Sequence, residues 1–303
     1  MSDCWLCGFG ESTEFLSSTL GREISSGDLK ISDSHYGRTA RIVQCGKCCF
    51  RFADPPPASD LPRLYSELVD PEYSEGGEGR IRPFRQILAR CRKMMPAARA
   101  VLDVGAGTGL LCVAAREQGL EAVGIEPSAW AVEIARSRHG VELLPGSFPQ
   151  PALAGRHFDI VTLIDVIEHT TDPCGLLENI ASAVKPGGLV VITTPDANSL
   201  AARILRRKWW HYRVAHVCFF GRFTMNLALN RAGLTLERLE RYTWYFQVSY
   251  VAERLERYLP VGPLRRALAA TAPGRKLFSW TVPVNLRDSY TYYARKGRGE
   301  DGH

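Results

Sequence analysis

Val101-Leu102-Asp103-Val104-Gly105-Ala106-Gly107-Thr108-Gly109 restricts the architecture more than any other stretch of the chain. An apolar run that closes on an acid predicts a buried strand carrying a carboxylate to the edge of a sheet. Three glycines at alternate positions let the backbone turn tightly and pass close to a ligand. The Leu110-Leu111-Cys112-Val113-Ala114-Ala115-Arg116 run that follows reads as a helix. Strand, glycine turn and helix form the first half of a nucleotide-binding βαβ unit, so the chain is expected to be α/β. The spacing is G-x-G-x-G rather than G-x-G-x-x-G, which disfavours a dinucleotide dehydrogenase.

Ala122-Val123-Gly124-Ile125-Glu126 predicts a second short strand, again ending in an acid. A carboxylate there is placed to take two ribose hydroxyls. A sulfonium nucleoside has no pyrophosphate, so its site needs carboxylates and a close backbone more than a helix dipole. Phe158-Asp159-Ile160-Val161-Thr162-Leu163-Ile164-Asp165 reads as a further strand. Val184-Lys185-Pro186-Gly187-Gly188 leads into Leu189-Val190-Val191-Ile192-Thr193, and Asp288 to Lys296 reads as a closing strand.

In this order the motifs resemble the class I S-adenosylmethionine-dependent methyltransferases, from about Val101 to Lys296. The resemblance implies a Rossmann-like seven-stranded sheet with helices on both faces and S-adenosyl-L-methionine as cofactor. By the same resemblance Asp103 and Glu126 hold the cofactor's polar groups, while Gly105, Ala106, Gly107 and Gly109 admit it to the backbone. Pro127 follows Glu126 in the site, Ser147 and Phe148 flank the adenine, and Asp165 lies where the transferred methyl sits.

With 303 residues the chain can hold one sizeable α/β domain and a smaller appendage. Its 45% hydrophobic and 23% charged residues fit a globular protein. The Met1-Ser2-Asp3-Cys4 start shows no signal peptide, and no apolar run reaches membrane-helix length, so a cytoplasmic location is expected. In that compartment nine cysteines argue against disulfides. Four of them form the pairs Cys4-x-x-Cys7 and Cys45-x-x-Cys48, a spacing suited to one tetrahedral zinc ion; a redox role is the competing reading. Four thiolates leave no open position, so the zinc would be structural. Some small-molecule methyltransferases, sugar enzymes among them, are similar in carrying such a module. Cys91, Cys112, Cys174 and Cys218 read as small buried hydrophobes.

The expected organisation is a zinc-binding module over 1–57, a connector with lid helices over 58–98, and a methyltransferase domain over 99–298. Helical insertions are expected at about 198–225 and 250–285. Leu61 to Leu68 reads as a short helix, and Glu75 to Gly79 as a flexible tract beside Tyr65 and Tyr73, which are either lid residues or packed surface aromatics.

Methyl transfer to a hydroxyl is helped by a base, typically by ~10²–10⁴-fold. Asp165, Glu168 and His169 stand at i, i+3 and i+4, so a helical turn would gather them on one face. His216 follows the fifth strand, where the family often carries a histidine over the acceptor. Three readings stay open: His216 acts as a lone base; Glu168, His169 and His216 hold a catalytic divalent cation with Asp165; or Glu168 and His169 only cap the following helix and pack near the cofactor. A similar acid-x-x-Glu-His plus distant His set occurs in ubiquinone-pathway and small-RNA methyltransferases. Sugar C-methyltransferases with the cysteine module usually place a glutamate beside this histidine. Here the neighbour is Ala215, which favours O-methylation over C-methylation. Trp209, Trp210, His211 and Tyr212 either line an acceptor pocket or anchor the insertion.

The net charge of +6 is concentrated around Arg203 to Lys208 and in 250–285. Nothing resembles a nucleic-acid module. The 250–285 insertion would roof the site, dimerise, or touch a membrane surface bearing a lipid-linked substrate. The expected function is O-methylation of a small-molecule or glycan hydroxyl. Sugar C- or N-methylation is the nearer alternative, and a non-catalytic or RNA-interacting binding protein the more distant one.

Overall fold

The computed structural model describes residues 2–32, 35–74, 77–256 and 259–298, without the side chains of 73, 74, 77, 78 and 264. The expectations placed on Tyr73, Glu75, Gly76, Arg257 and Tyr258 therefore fall outside what is described.

An N-terminal hairpin region carries β1 (Ser12–Leu16), β2 (Ile42–Cys45) and β3 (Arg51–Ala53). A connector follows with α1 (Leu61–Ser66), α2 (Pro71–Ser74) and α3 (Gly77–Met94). Asp60 starts α1 by accepting the Arg63 N–H at 3.1 Å, with Pro62 in the first turn. The tract expected to be flexible is in part the first turn of α3. Gly79 is required there by close approach, because a Cβ would lie 2.7 Å from the Tyr245 carbonyl oxygen.

The main domain alternates strands and helices: β4 (Ala100–Val104), α4 (Leu110–Glu117), β5 (Glu121–Glu126), α5 (Ala129–His139), β6 (Leu143–Pro145), β7 (Phe158–Ile164), α6 (Pro173–Ala183) and β8 (Val184–Pro195). Then come α7 (Leu200–Leu205), β9 (Cys218–Phe219), α8 (Arg222–Arg231) and β10 (Leu234–Arg241). The last part holds β11 (Trp244–Gln247), α9 (Val248–Leu255), α10 (Gly262–Ala269), α11 (Ala272–Phe278), β12 (Thr281–Val284) and β13 (Ser289–Lys296). The 250–285 region thus contains more than its two expected helices, and β11 with β12 closes it as an antiparallel pair.

Seven strands form one sheet in the order β10-β13-β8-β7-β4-β5-β6. Strands β6, β5, β4, β7 and β8 run parallel, and β13 inserts antiparallel between β8 and β10. Alternation along the strands divides the core into two faces. Val101, Ile160, Leu189, Val191 and Tyr293 pack with Leu88 and Cys91 of α3 and Leu111 and Ala114 of α4. Leu102, Val161, Leu163, Val190, Ile192 and Tyr292 face the other way, towards Leu177 and Ile180 of α6 and Met225 and Leu229 of α8.

The second face is shared with the N-terminal residues Leu6, Val43, Phe50 and Phe52, each fully buried. A smaller antiparallel sheet runs β1-β2-β3-β9, so a strand from the main domain completes the N-terminal one. No described helix is long and apolar enough to cross a membrane.

Candidate functional site: a cavity at the carboxyl ends of the parallel strands

A cavity of about 490 Å³ opens where β4, β5 and β7 end. This is the crevice position at which open α/β sheets take ligands. Asp103, Gly105, Ala106, Gly107, Glu126, Pro127, Ser147, Phe148 and Asp165 line it, as do Glu168, His169 and His216.

Gly105, Gly107 and Gly109 all adopt positive φ, at 74°, 54° and 79°. At Gly105 space is also decisive, because a Cβ would sit 2.5 Å from Val166 Cγ2. Gly109 is not among the lining residues. It turns the chain into α4, packed against Ala135 and Val141 of the neighbouring segment. The side chain of Glu126 is held at both oxygens, Oε2 accepting the Gly107 N–H and Oε1 the Ser128 N–H, each at 2.8 Å. Thr162 Oγ1 donates to Asp103 Oδ1 at 2.6 Å.

These carboxylates are out of water. Burial pushes the Asp103 carboxyl up to about 7, with the Thr162 hydroxyl pulling the other way. Burial also raises Glu126 against the two backbone N–H groups that favour its charge. Asp165, held at a φ of 54°, rises to about 7 by burial, opposed by the Arg80 charge. A buried acid cluster of this kind gains from a cationic ligand. An amino acid sulfonium with a ribose meets both needs, so these residues fit S-adenosylmethionine.

The other half of the cavity carries a second cluster. Glu168 and His169 lie on a short 3-10 turn, Ile167–His169, rather than on an α-helical turn. The positive φ of Asp165 breaks the helical path just before it. One ligand atom from each of Glu168, His169 and His216 falls within 4.8 Å of the others. Thr194 Oγ1 donates to Glu168 Oε2 at 2.9 Å, while Glu168 Oε1 and His216 Nδ1 are buried with no hydrogen-bond partner. The His169 and His216 rings meet edge to face at 4.9 Å, and His211 stacks on His216 at 5.6 Å. Burial and the charge of Asp165 hold the Glu168 carboxyl well above its ordinary range. Burial drives His169 down to about 4 and, helped by the neighbouring histidines, holds His216 well below 6.5. Both imidazoles are therefore neutral near pH 7, with a lone pair available to a proton or a cation.

Trp209 and Tyr212 are buried and absent from the cavity wall. Trp209 Nε1 donates to Asp288 Oδ2 at 3.3 Å, so the pair anchors the insertion to the loop before β13. Of that stretch only His211 lines the cavity. The cavity is lined instead by Phe84, Tyr242, Trp244 and Phe246, with Leu29 and Ile31 from the N-terminal region. These positions carry no motif. The Trp244-Tyr245-Phe246 run was visible as an aromatic cluster, but nothing local ties it to Asp165.

Away from the cavity, Cys4, Cys7, Cys45 and Cys48 bring their sulfurs within 4.8 Å of one another. Cys4 to Cys48 and Cys7 to Cys45 are each 3.6 Å apart. A tetrahedron with ~2.3 Å metal–sulfur bonds has edges of about 3.8 Å, so the set fits one ion. The Lys47 and Cys48 N–H groups point at Cys45 Sγ at 3.4 and 3.5 Å, as thiolate support requires. Cys49 is exposed, and Cys174 Sγ donates to the Trp5 carbonyl, so neither completes the set.

Comparison with known proteins agrees with this geometry. The chain is 31% identical over 160 residues to a ubiquinone biosynthesis O-methyltransferase of Rhodopseudomonas palustris strain HaA2, covering 48% of this chain and 63% of that protein. It is 32% identical over 111 residues to the protein so named in Stutzerimonas stutzeri strain A1501, covering 35% and 48%. The chain thus spans less than two thirds of the length of these curated relatives. The crystal structure of the YcgJ protein from Bacillus subtilis superposes with a TM-score of 0.50 at 18% identity, over 72% of this chain and 99% of that one, a likeness of fold alone. Residues 77–239, which carry the glycine turn, both strand-end acids and the Glu168/His169/His216 cluster, match the methyltransferase domain family, and the chain belongs to it.

Proposed function

We propose that the protein transfers the methyl group of S-adenosylmethionine to a hydroxyl of a small molecule with an apolar or aromatic body. The observation that carries this reading is one cavity joining the Asp103/Glu126 acids to the Glu168/His169/His216 cluster beneath an aromatic wall. When bound, the cofactor supplies a carbon already activated by its sulfonium. Asp103 holds the ammonium, Glu126 the ribose hydroxyls, and Ser147 and Phe148 the adenine edge and face. His216, neutral and with an unpartnered Nδ1, takes the proton of the acceptor hydroxyl. Alignment of acceptor and methyl within the closed cavity supplies much of the acceleration.

The O-methyltransferase names of the relatives support oxygen as the acceptor atom. The apolar wall favours a phenol-like or polyketide-like body over a glycan, whose hydroxyls need many polar partners. A second reading has its own support: Glu168 Oε1 and His216 Nδ1 lack partners beside His169 and fit a divalent cation that lowers the acceptor's pKa. The four-cysteine set is read as a structural zinc site.

The deciding assay offers S-adenosylmethionine with phenolic, polyketide, sugar and nucleotide-sugar acceptors, with and without a chelator. Turnover on phenolic or polyketide acceptors is expected; turnover on sugars alone would overturn the proposed class. Loss on chelation that Mg²⁺ or Mn²⁺ restores, and Zn²⁺ does not, selects the divalent reading.

The acid cluster also predicts a pH effect. With Asp103 and Asp165 near 7 in the free protein, part of the population carries a proton there at neutral pH. A cationic ligand lowers those pKa values, so binding releases protons and affinity rises with pH between about 6 and 8. Titration calorimetry at pH 7 in phosphate and in Tris should give different apparent enthalpies. Equal enthalpies would mean that no proton leaves.

A further inference from the structure

The acceptor-side histidines are held from outside the stretch that matches the family. Tyr65 lies on α1, twelve residues before residue 77, and lines the cavity. Its hydroxyl is 2.6 Å from His169 Nδ1 and 3.2 Å from the Ala215 carbonyl oxygen. His169 Nδ1 is itself 2.9 Å from that same carbonyl. Three polar atoms thus form a closed triangle next to His216.

Hydrogen-bond chemistry leaves one arrangement that satisfies all three. A carbonyl oxygen only accepts, so the short contact from Nδ1 to Ala215 requires the proton on Nδ1. The phenol then accepts from Nδ1–H through its oxygen and donates its own proton to the Ala215 carbonyl. Nε2 is left as the lone-pair nitrogen of His169. With the proton on Nε2 instead, Nδ1 and the Ala215 carbonyl would face each other lone pair to lone pair at 2.9 Å.

The backbone around this triangle is tied down as well. The Val217 N–H donates to the Glu168 carbonyl at 2.8 Å, and the Ala53 N–H of β3 donates to the Val217 carbonyl at 2.8 Å. The carbonyl of Ala215 and the turn carrying His169 are therefore fixed relative to each other. Within this frame the Ala215 carbonyl sets which ring nitrogen of His169 carries the proton, and the Tyr65 hydroxyl, accepting from Nδ1–H and donating to the same carbonyl, holds the ring in place.

We propose that Tyr65 is a positioning residue that holds the His169 ring in place, in the Nδ1–H tautomer set by the Ala215 carbonyl, with Nε2 as the free lone pair beside Glu168 and His216. The role rests on the methyl-transfer reading of this cavity for its catalytic consequence, but not for the tautomer itself. Tyr65 acts through His169: it fixes the ring, and the ring then meets either the acceptor or a cation. Positioning partners of this kind typically change affinity or activity by ~10–100-fold when removed.

The test substitutes Tyr65→Phe, which keeps the ring in the cavity wall and deletes only the hydroxyl. Long-range ¹H–¹⁵N NMR of the imidazoles reports the tautomer without any turnover. The wild-type protein and Tyr65→Phe should both show His169 as Nδ1–H, with the Nδ1–H resonance shifted in Tyr65→Phe because its contact with the phenol oxygen is gone. Kinetically, Tyr65→Phe should lower kcat by ~10–100-fold with KM for the acceptor and Kd for S-adenosylmethionine nearly unchanged. Loss of wall packing alone would instead raise KM with kcat intact. In a His169→Ala background, Tyr65→Phe should have no further effect on kcat. An Nε2–H tautomer in the wild-type spectrum, or an unchanged Nδ1–H resonance and kcat in Tyr65→Phe, would overturn the proposal. A shifted Nδ1–H resonance in Tyr65→Phe, in a protein that methylates no acceptor, would sink the methyl-transfer reading and leave the positioning role standing.

Discussion

His216→Ala should lower turnover by roughly 10²–10⁴-fold, the usual worth of a positioned base, while S-adenosylmethionine binds as before. The two halves of that outcome come from different parts of the cavity. His216 belongs to the Val214–Phe219 segment beside β9, whereas the proposed cofactor contacts end β4 and β5. Its ring lies between His169 and His211 and contributes no hydrogen bond to Asp103 or Glu126. Initial rates at saturating cofactor and a calorimetric Kd on the same preparation check both halves. Turnover within threefold of wild type would remove His216 from the chemistry. A rate loss accompanied by an equal loss of cofactor affinity would point to a collapsed site instead. Because burial keeps the imidazole neutral well below 6.5, the wild-type rate at saturating cofactor should also hold as pH falls through 6.5. It should decline only in more acidic solution, where His216 takes up its proton.

Glu126→Gln should weaken S-adenosylmethionine binding by roughly 10²-fold, because hydrogen bonds to a charged group are each worth about 1.5–3 kcal/mol. The carboxylate spends one lone pair of each oxygen on the Gly107 and Ser128 N–H groups. The remaining lone pairs are those offered to the ribose. An amide places an NH₂ where one of these oxygens was, directly opposite a backbone N–H at about the same 2.8 Å. Donor meets donor, the glycine turn is pushed out of place, and the ribose loses a charged acceptor. Calorimetry with S-adenosylmethionine reads the change in Kd. A shift under threefold would show that Glu126 serves the turn and not the ligand.

The two substitutions sit in halves of the cavity that differ in how far the chain announces them. The cofactor half is written locally. Asp103 and Glu126 are each the last or next-to-last residue of an apolar run, and a glycine at φ 74° directly after β4 is a local steric requirement. Such constraints act over a few residues, so strand ends and turn are legible without knowing what packs against them. Gly109 shows the limit even here. Its place in the motif suggested contact with the ligand, but its role is the entry to α4 against Ala135 and Val141.

The acceptor half is assembled across the chain. His216 and Glu168 could be nominated from spacing, yet the helical turn expected for Asp165, Glu168 and His169 is a 3-10 turn entered through a positive φ. Tyr65 was one of two tyrosines with no way to rank them; its hydrogen bond to His169 separates it from any surface aromatic. Trp209 and Tyr212 read as either pocket or anchor; burial placed them in the core, while Trp244 and Phe246, which no pattern singled out, line the cavity. The cysteine pairs were legible as one cluster of four thiols. That β3 of the same region would pair with β9, one residue beyond Val217, was not.

By itself, then, the sequence determined the α/β sheet, the glycine turn, the two strand-end acids and the four-thiol set, all of which follow from periodicity and short-range sterics. Only the tertiary structure decided which aromatics face the acceptor, which nitrogen of His169 stays free, and that residues before 77 build one side of the site. Those outcomes depend on burial and hydrogen bonds between segments more than a hundred residues apart, such as Tyr65 with His169 and Ala215. Local pattern has no means of encoding a partner that arrives only when the chain has folded.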